Sequence, residues 1–132
     1  MFLFDNYQRY NLTFVKGAGT YLYSDSGRKY LDCASGISVT NFGHSHPYIL
    51  SKVKQQIDKL WHTSNLFMSD LGEALAERIS RLSFNGKIFF CNSGAEANEA
   101  AIKLARIYNN NIFGGKRPRI ITMLNSFHGR TY

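Results

Sequence analysis

Residues 90–99 have the sequence FCNSGAEANE, in which a short apolar segment passes through a turn of small residues directly into a helix. The first N–H groups of a helix have no intrahelical acceptor, and the helix dipole favours negative charge at that end. The Ser93 hydroxyl adds a polar group, Gly94 allows close approach of the backbone, and Ala95 adds little bulk. The turn therefore predicts a site for an anion such as a phosphate.

A serine-capped helix without a ligand is the simpler interpretation of the same turn, because such caps are common in proteins. The nearby charges also bear on the choice. Glu96 and Glu99 suit the positive end of the helix dipole, but they would repel a phosphate unless their carboxylates point away. The sequence leaves both interpretations open.

The segments around this turn form a strand–helix–strand pattern. Residues 87–91 and 119–123 are short and apolar, as expected of strands. The helix between them, Ala95–Asn110, is rich in alanine, and Glu99 and Lys103 are spaced for an ion pair. Such spacing predicts two parallel strands joined by a right-handed crossover. Two strands cannot enclose a core, so we expect an α/β fold whose parallel sheet is incomplete here.

A second polar loop follows the second of these strands and has the sequence SFHGRT, residues 126–131. Ligands of open α/β sheets bind beyond the carboxyl ends of the strands, so this loop and the Ser93 turn are expected to meet at one crevice. Phe127 can stack on a flat ring, and the planar guanidinium of Arg130 can hold a carboxylate. A core phenylalanine and a solvated arginine are the alternatives.

The first 86 residues predict local elements ahead of this pattern. They are strands at 20–23 and 29–32 joined as a β-hairpin, a loop with some extended backbone at 34–43, a helix from Pro47 to about Trp61, and a helix from Ser69–Asp70 to Asn85–Gly86. Asp70 and Glu73 have the spacing of a capping box at the start of the second helix.

Composition limits the class of protein. The chain has 132 residues, of which 44% are hydrophobic and 19% charged, as in one globular domain. No apolar run is longer than that at residues 88–91, which is far shorter than the roughly 20 residues that cross a bilayer, and residues 1–10 show no signal pattern. Cys33 and Cys91 make no disulfide framework and are interpreted as packed thiols, so we expect a cytoplasmic protein without a membrane partner.

The net charge of +7 is concentrated at one end of the chain. Residues 1–99 have a net charge of +1, whereas residues 100–132 contain six basic and no acidic residues. The only basic cluster, 116–119, is interpreted as a solvated loop, because a nucleic-acid surface usually interleaves basic and aromatic residues. We expect no nucleic-acid partner, and a small basic nucleic-acid module is the alternative that rests on charge alone.

Two further motifs fail as sites. Gly17 and Gly19 lack the third glycine of a dinucleotide loop and precede a strand where a helix is required. His44 and His46 are two imidazoles without a third ligand nearby in sequence. We expect no metal.

Several stretches along the chain carry a resemblance to a known family. They are GTYLY at 19–23, YLD at 30–32, SGI at 35–37, NFGHSHP at 41–47, LWHTSNLF at 60–67, residues 89–103, and SFHGRT at 126–131. Together they resemble the opening third of the class III pyridoxal-phosphate-dependent aminotransferases. Residues 59–67 favour the members that act on N2-acetylornithine over those that act on ornithine or 4-aminobutyrate.

This resemblance implies a fold and an activity. The family has the pyridoxal-phosphate-dependent transferase fold type I and forms homodimers. Residues 1–46 would belong to its small domain, and residues 47–132 would begin the large cofactor domain. The implied reaction transfers the terminal amino group of N2-acetylornithine to 2-oxoglutarate, a step of arginine biosynthesis, with pyridoxal 5′-phosphate as cofactor.

The resemblance also implies roles for individual residues. Three match the turn that holds the cofactor phosphate: Ser93, Gly94 and Ala95. Phe127 matches the aromatic residue stacked on the pyridine ring, and Arg130 matches the arginine that holds the substrate's α-carboxylate. Ile37 and the segment that begins at Asn65 match segments that approach the substrate.

The family's cofactor-bonding lysine, and the aspartate that pairs with the pyridine nitrogen, match positions beyond residue 132. None of the eight lysines present has the expected context. We therefore expect no catalytic residue within these 132 residues and no activity from them alone. A piece of an ornithine or 4-aminobutyrate-type enzyme and a non-catalytic remnant are the alternatives.

Overall fold

The computed structural model of the chain describes residues 2–116 and 119–131. The elements in this part are β1 (Phe14–Ala18), β2 (Tyr21–Ser24), β3 (Lys29–Leu31), α1 (Ser35–Ser38), α2 (Pro47–Ile57), α3 (Asp70–Arg81) and α4 (Gly94–Phe113). The chain divides into two compact units, Met1–Phe67 and Met68–Tyr132. The assignment of residues 1–46 and 47–132 to two enzyme domains stays a prediction. Arg117 and Pro118 of the basic cluster lie outside the described residues.

The first unit contains a three-stranded antiparallel sheet in the order β1-β2-β3. Tyr21 pairs with Leu31 in the β2–β3 ladder, so the predicted hairpin is confirmed. Strand β1 was not predicted, because its segment FVKGA has no clear alternation of apolar and polar residues. Phe14 of β1 packs edge-on against Tyr30 of β3, with ring centroids 5.4 Å apart.

The segment after β3 is a helical turn, α1, and the predicted loop with extended backbone is wrong here. Its residues have positive φ angles, including 50° at Ser35 and 59° at Ile37. The left-handed conformation costs a non-glycine residue about 1–2 kcal/mol. Asp32 offsets this cost, since one carboxylate oxygen accepts hydrogen bonds from the N–H groups of Ala34 and Ser35, at 3.0 and 2.8 Å.

Helix α2 begins with Pro47 at its first position, as predicted, but it ends at Ile57 rather than near Trp61. Asp58 follows as the C-cap, although the negative end of the helix dipole disfavours a carboxylate there. The N–H groups of Lys59 and Leu60 both bond to the carbonyl of Gln56, which closes the last turn. The apolar spacing that predicted a longer helix continues past this stop.

The second unit starts with α3, whose predicted start is confirmed. Its N-cap is Ser69, which accepts a hydrogen bond from the N–H of Gly72 at 3.1 Å. The cap is therefore this serine and not the Asp70/Glu73 pair. The helix ends at Arg81 and not at the predicted stop, Asn85–Gly86. Ser80 Oγ donates a hydrogen bond to the carbonyl of Gly86 at 2.7 Å.

Helix α4 extends three residues beyond its predicted end at Asn110. The three asparagines at 109–111 have low helix propensity, yet they stay helical. The helix ends where Gly114 adopts φ 57° and its N–H bonds to the carbonyl of Asn109. A left-handed glycine is the stronger stop signal because only glycine adopts this conformation at little cost.

The predicted parallel pair at 87–91 and 119–123 is not present as strands in the described residues. A strand is assigned only where its backbone pairs with a neighbour, and the described part of the chain offers these two segments no such partner. The one sheet in these residues is the antiparallel sheet of the first unit.

No apolar side chain is buried among the described residues. The interpretation of both cysteines as packed thiols is wrong, because Cys33 and Cys91 are exposed. Within the described segments, none of the helices has the length and apolar character needed to span a bilayer.

Candidate cofactor and substrate site

The turn at Ser93 caps α4 in the way the sequence predicts. Ser93 has extended backbone, and its Oγ accepts a hydrogen bond from the N–H of Glu96 at 3.2 Å. The N–H groups of Gly94 and Ala95 occupy the first helical turn, where no intrahelical carbonyl can reach them. A Cβ added at Gly94 would meet no atom within 4 Å, so open space lies beside this backbone. Ser93 and Gly94 are also exposed, so the start of the helix is accessible to an anion.

Both glutamates near the turn are bound by donors of the protein. The carboxylate of Glu96 turns back to Asn92 and accepts from its backbone N–H at 2.6 Å and from its side-chain amide at 3.4 Å. Glu99 accepts from the hydroxyl of Thr131 at 3.0 Å and from Lys103 Nζ at 3.3 Å. These contacts weaken the objection that the two carboxylates would repel an anion at the turn.

The loop at 126–131 lies against the first turn of α4, so the expected meeting of the two polar loops is confirmed. Gly129 has φ 107°, and an added Cβ there would lie 2.6 Å from Ala95 Cβ. Only glycine meets both requirements at little cost, because it adopts positive φ freely and has no Cβ to clash. The Thr131–Glu99 hydrogen bond is a second contact between this loop and the helix.

Phe127 and Arg130 lie together within this loop. The guanidinium carbon of Arg130 is 5.6 Å from the centroid of the Phe127 ring, and the ring is 73% exposed. The second unit thus combines an accessible aromatic ring, a cation and a helix start with room for an anion. This set of groups fits a ligand that carries a flat ring and a phosphate.

The other two predicted residues lie in the first unit. Ile37 is 93% exposed and belongs to the left-handed turn α1. Asn65 is an exposed residue of a turn in which the N–H of Phe67 bonds to the carbonyl of Ser64 at 3.0 Å. The roles of Ile37 and Asn65 toward the substrate stay predictions.

A contact that no sequence pattern predicted stabilises α1, the turn that contains Ile37. His44 Nε2 lies 2.7 Å from Asp32 Oδ2, and this hydrogen bond, followed by that from the N–H of Ser35, lowers the pKa of Asp32. His44 also forms two backbone hydrogen bonds with Gly19, at 2.7 and 2.9 Å. The pair thereby holds the carboxylate that stabilises α1. Twelve residues separate its members, and no local pattern marks them as partners.

A family model described as "Aminotransferase class-III" matches residues 4–132. The chain belongs to the class III aminotransferases. It is 51% identical over 131 residues to the acetylornithine aminotransferase of Caldanaerobacter subterraneus subsp. tengcongensis, which covers 99% of this chain and 33% of that protein. It is 52% identical over 127 residues to the acetylornithine aminotransferase of Nitrosomonas europaea, which covers 96% of this chain and 32% of that protein. The chain therefore spans about a third of the length of these curated relatives.

Solved structures of aminotransferases have the same fold. The N-acetylornithine aminotransferase of Stenotrophomonas maltophilia K279a matches with a TM-score of 0.80 and 39% identity, over 90% of this chain and 33% of that chain. The ornithine aminotransferase of Toxoplasma gondii ME49 matches with a TM-score of 0.80 and 26% identity, over 86% and 27%. These matches confirm the predicted fold class, the pyridoxal-phosphate-dependent transferase fold. Enzymes of this family use pyridoxal 5′-phosphate, and the ring and helix start described above fit such a cofactor.

Proposed function

We propose that residues 1–132 belong to an aminotransferase that moves the terminal amino group of N2-acetylornithine to 2-oxoglutarate in arginine biosynthesis. The observation that carries this proposal is the identity of about one half, over nearly the whole chain, with relatives named acetylornithine aminotransferase. The proposed enzyme is a cytoplasmic homodimer without a membrane or nucleic-acid partner.

The geometry supports a role for each of the predicted site residues in the second unit. The N–H groups of Gly94 and Ala95, beside the Ser93 cap, bind the cofactor phosphate. Phe127 packs on the cofactor ring, and Arg130 binds the α-carboxylate of the substrate with its planar guanidinium. Bound pyridoxal phosphate supplies the electron sink that amino transfer needs.

Two residues of the first unit have a proposed role toward the substrate. Ile37 and Asn65 border it, which agrees with their exposure. The proposal places no catalytic residue within residues 1–132, and these residues alone have no transaminase activity.

The test needs an enzyme of full family length, called here the full-length form. It consists of residues 1–132 continued by their own reading frame or, where that frame stops, by the remaining two thirds of the Caldanaerobacter relative. The coding DNA after codon 132 also shows whether the frame continues to a cofactor-bonding lysine.

Amino transfer to 2-oxoglutarate is measured with N2-acetylornithine, ornithine and 4-aminobutyrate as donors. We expect kcat/KM for N2-acetylornithine to exceed the other two by at least about tenfold, or about 1.4 kcal/mol in transition-state binding. A preference for ornithine or 4-aminobutyrate would assign the residues to that type of aminotransferase. Cofactor binding without transfer would support the non-catalytic alternative.

A further inference from the structure

Glu99 joins the two segments that carry the proposed ligand contacts. It lies on α4, six residues after the Ser93 cap. One carboxylate oxygen accepts from Lys103, which is an ordinary contact within the helix. The other accepts from Thr131 Oγ1 at 3.0 Å, across 32 residues of sequence. Only the second contact fixes a different segment of the chain to the helix.

Arg130 is held on both sides by contacts with α4. The residue before it, Gly129, lies so close to Ala95 that an added Cβ would be 3.0 Å from the Ala95 Cα atom. The residue after it, Thr131, is bound to Glu99. The backbone from which the guanidinium extends is therefore flanked by a close approach and by a hydrogen bond to the helix that begins at the Ser93 turn.

The protonation state of the Glu99 carboxylate favours its hydrogen bond with Thr131. The Thr131 hydroxyl, and then Lys103, hold the pKa of Glu99 below its ordinary value. The carboxylate is therefore ionised at neutral pH and accepts hydrogen bonds at both oxygens. A charged acceptor gives a stronger hydrogen bond to a hydroxyl than a neutral one does.

We propose that Glu99 is a positioning residue for the reaction: through Thr131 it sets the distance between Arg130 and the Ser93 turn. The proposal rests on the proposed function, in which Arg130 binds the substrate carboxylate and the turn binds the cofactor phosphate. A substrate held at one end by Arg130 then presents its amino group at a set distance from the cofactor. Displacement of the reacting groups by about 1 Å can cost up to about a hundredfold in rate.

The test compares variants of the full-length form at Thr131 and Glu99. Thr131→Val removes the hydroxyl with little change in shape, and Thr131→Ser keeps it. Glu99→Ala removes the acceptor, and Lys103→Met removes only the contact within the helix. The matched control is Glu77→Ala, which removes another exposed carboxylate that pairs with a basic residue four positions later, Arg81 on α3.

Two substrates distinguish a role of Glu99 in positioning Arg130 from a role in the stability of the fold. The first is N2-acetylornithine, and the second is N-acetylputrescine, which is the same molecule without the α-carboxylate. For Thr131→Val and Glu99→Ala we expect KM for N2-acetylornithine to rise about fivefold, as for loss of a half-exposed hydrogen bond to a charged group. We expect unchanged kcat/KM for N-acetylputrescine and unchanged cofactor affinity. Thr131→Ser, Lys103→Met and Glu77→Ala should resemble the wild type.

Because Glu99 acts through Thr131, the double variant Thr131→Val/Glu99→Ala should raise KM for N2-acetylornithine no more than either single variant does. Equal losses with both substrates, or a lower melting temperature with unchanged kinetics, would overturn the positioning role while the proposed function stands. A wild-type enzyme that uses both substrates equally well would show that Arg130 does not bind the carboxylate. The proposed function of Arg130 would then fail, and the role of Glu99 would fail with it.

Discussion

At the scale of single residues, Gly94 is the position at which an anion site and an ordinary cap differ most. The cap requires only the Ser93 hydroxyl and the N–H of Glu96, which are in place without any ligand. An anion site also requires open space at the N–H groups of the first turn, and the structure shows such space beside Gly94. The two interpretations therefore predict different outcomes when that space is filled.

Replacement of Gly94 by valine in the full-length form tests this difference. The branched side chain occupies the space beside the turn, so we expect the affinity for pyridoxal phosphate to fall at least about tenfold, or about 1.4 kcal/mol. Equilibrium dialysis measures the affinity. Ala97→Val, which adds the same side chain further along α4, is the control and should bind normally. Equal affinity in wild type and Gly94→Val would favour the ligand-free cap.

A substitution at Arg130 distinguishes an effect on substrate binding from an effect on cofactor binding. A lysine in its place keeps the positive charge but loses the planar pair of donors that matches a carboxylate. We expect Arg130→Lys to raise KM for N2-acetylornithine about tenfold, with the absorption spectrum of the bound cofactor unchanged. Arg81→Lys on the exposed face of α3 is the control. Loss of cofactor at unchanged KM would place the arginine on the cofactor instead.

At the scale of elements, the helices agree best with the sequence analysis because their patterns are local. Apolar spacing and caps lie within a few residues of each other, and the structure confirms a helix in each predicted place. The errors are at the ends: α2 stops at Ile57, α3 stops at Arg81, and α4 continues to Phe113. The end of α4 depends on one residue, Gly114, which outweighs the low helix propensity of the asparagines before it.

The contact between the loop at 126–131 and α4 makes Gly129 a structural requirement. Alanine there would both adopt an unfavourable positive φ and collide with Ala95. We expect Gly129→Ala to lower the free energy of unfolding of the full-length form by about 2 kcal/mol and to weaken substrate binding as well. Urea denaturation measures the first effect, and KM measures the second.

Two further variants divide this cost into its parts. Gly114→Ala places the same side chain at φ 57° with no atom within 4 Å, so it reports the backbone cost alone. Ala95→Gly in the Gly129→Ala background removes one of the two colliding atoms and should recover part of the stability. Equal losses for Gly129→Ala and Gly114→Ala, without recovery, would mean that the loop does not press against the helix in solution.

At the scale of the whole molecule, the exposed apolar surface governs the behaviour of residues 1–132 alone. The expected parallel sheet is only begun in these residues, and Phe89 and Ile121 are 72% and 94% exposed. Exposed apolar surface of this kind drives association. We expect the purified polypeptide to aggregate or to unfold without cooperativity, and to show no amino transfer.

Sedimentation velocity, thermal denaturation and a transaminase assay of the same preparation check this expectation. The full-length form, measured in parallel, is the control and should be soluble and active. A soluble monomer of residues 1–132 with cooperative unfolding and measurable turnover would contradict the expectation. One of its eight lysines would then have to bond to the cofactor.

The sequence by itself determined the hairpin, the three longer helices, the Ser93 cap and the similarity to one enzyme family. These features depend on residues near each other in the chain, or on motifs that occur in order. Only the tertiary structure decided that Thr131 bonds to Glu99, that Gly129 lies against Ala95, and that the Asp32–His44 pair supports a left-handed turn. It also decided that residues 87–91 and 119–123 are not paired strands in the described part of the chain. The reason is physical: a contact between distant residues, like the pairing of a strand, depends on where the folded chain places the partner, and no local pattern encodes that position.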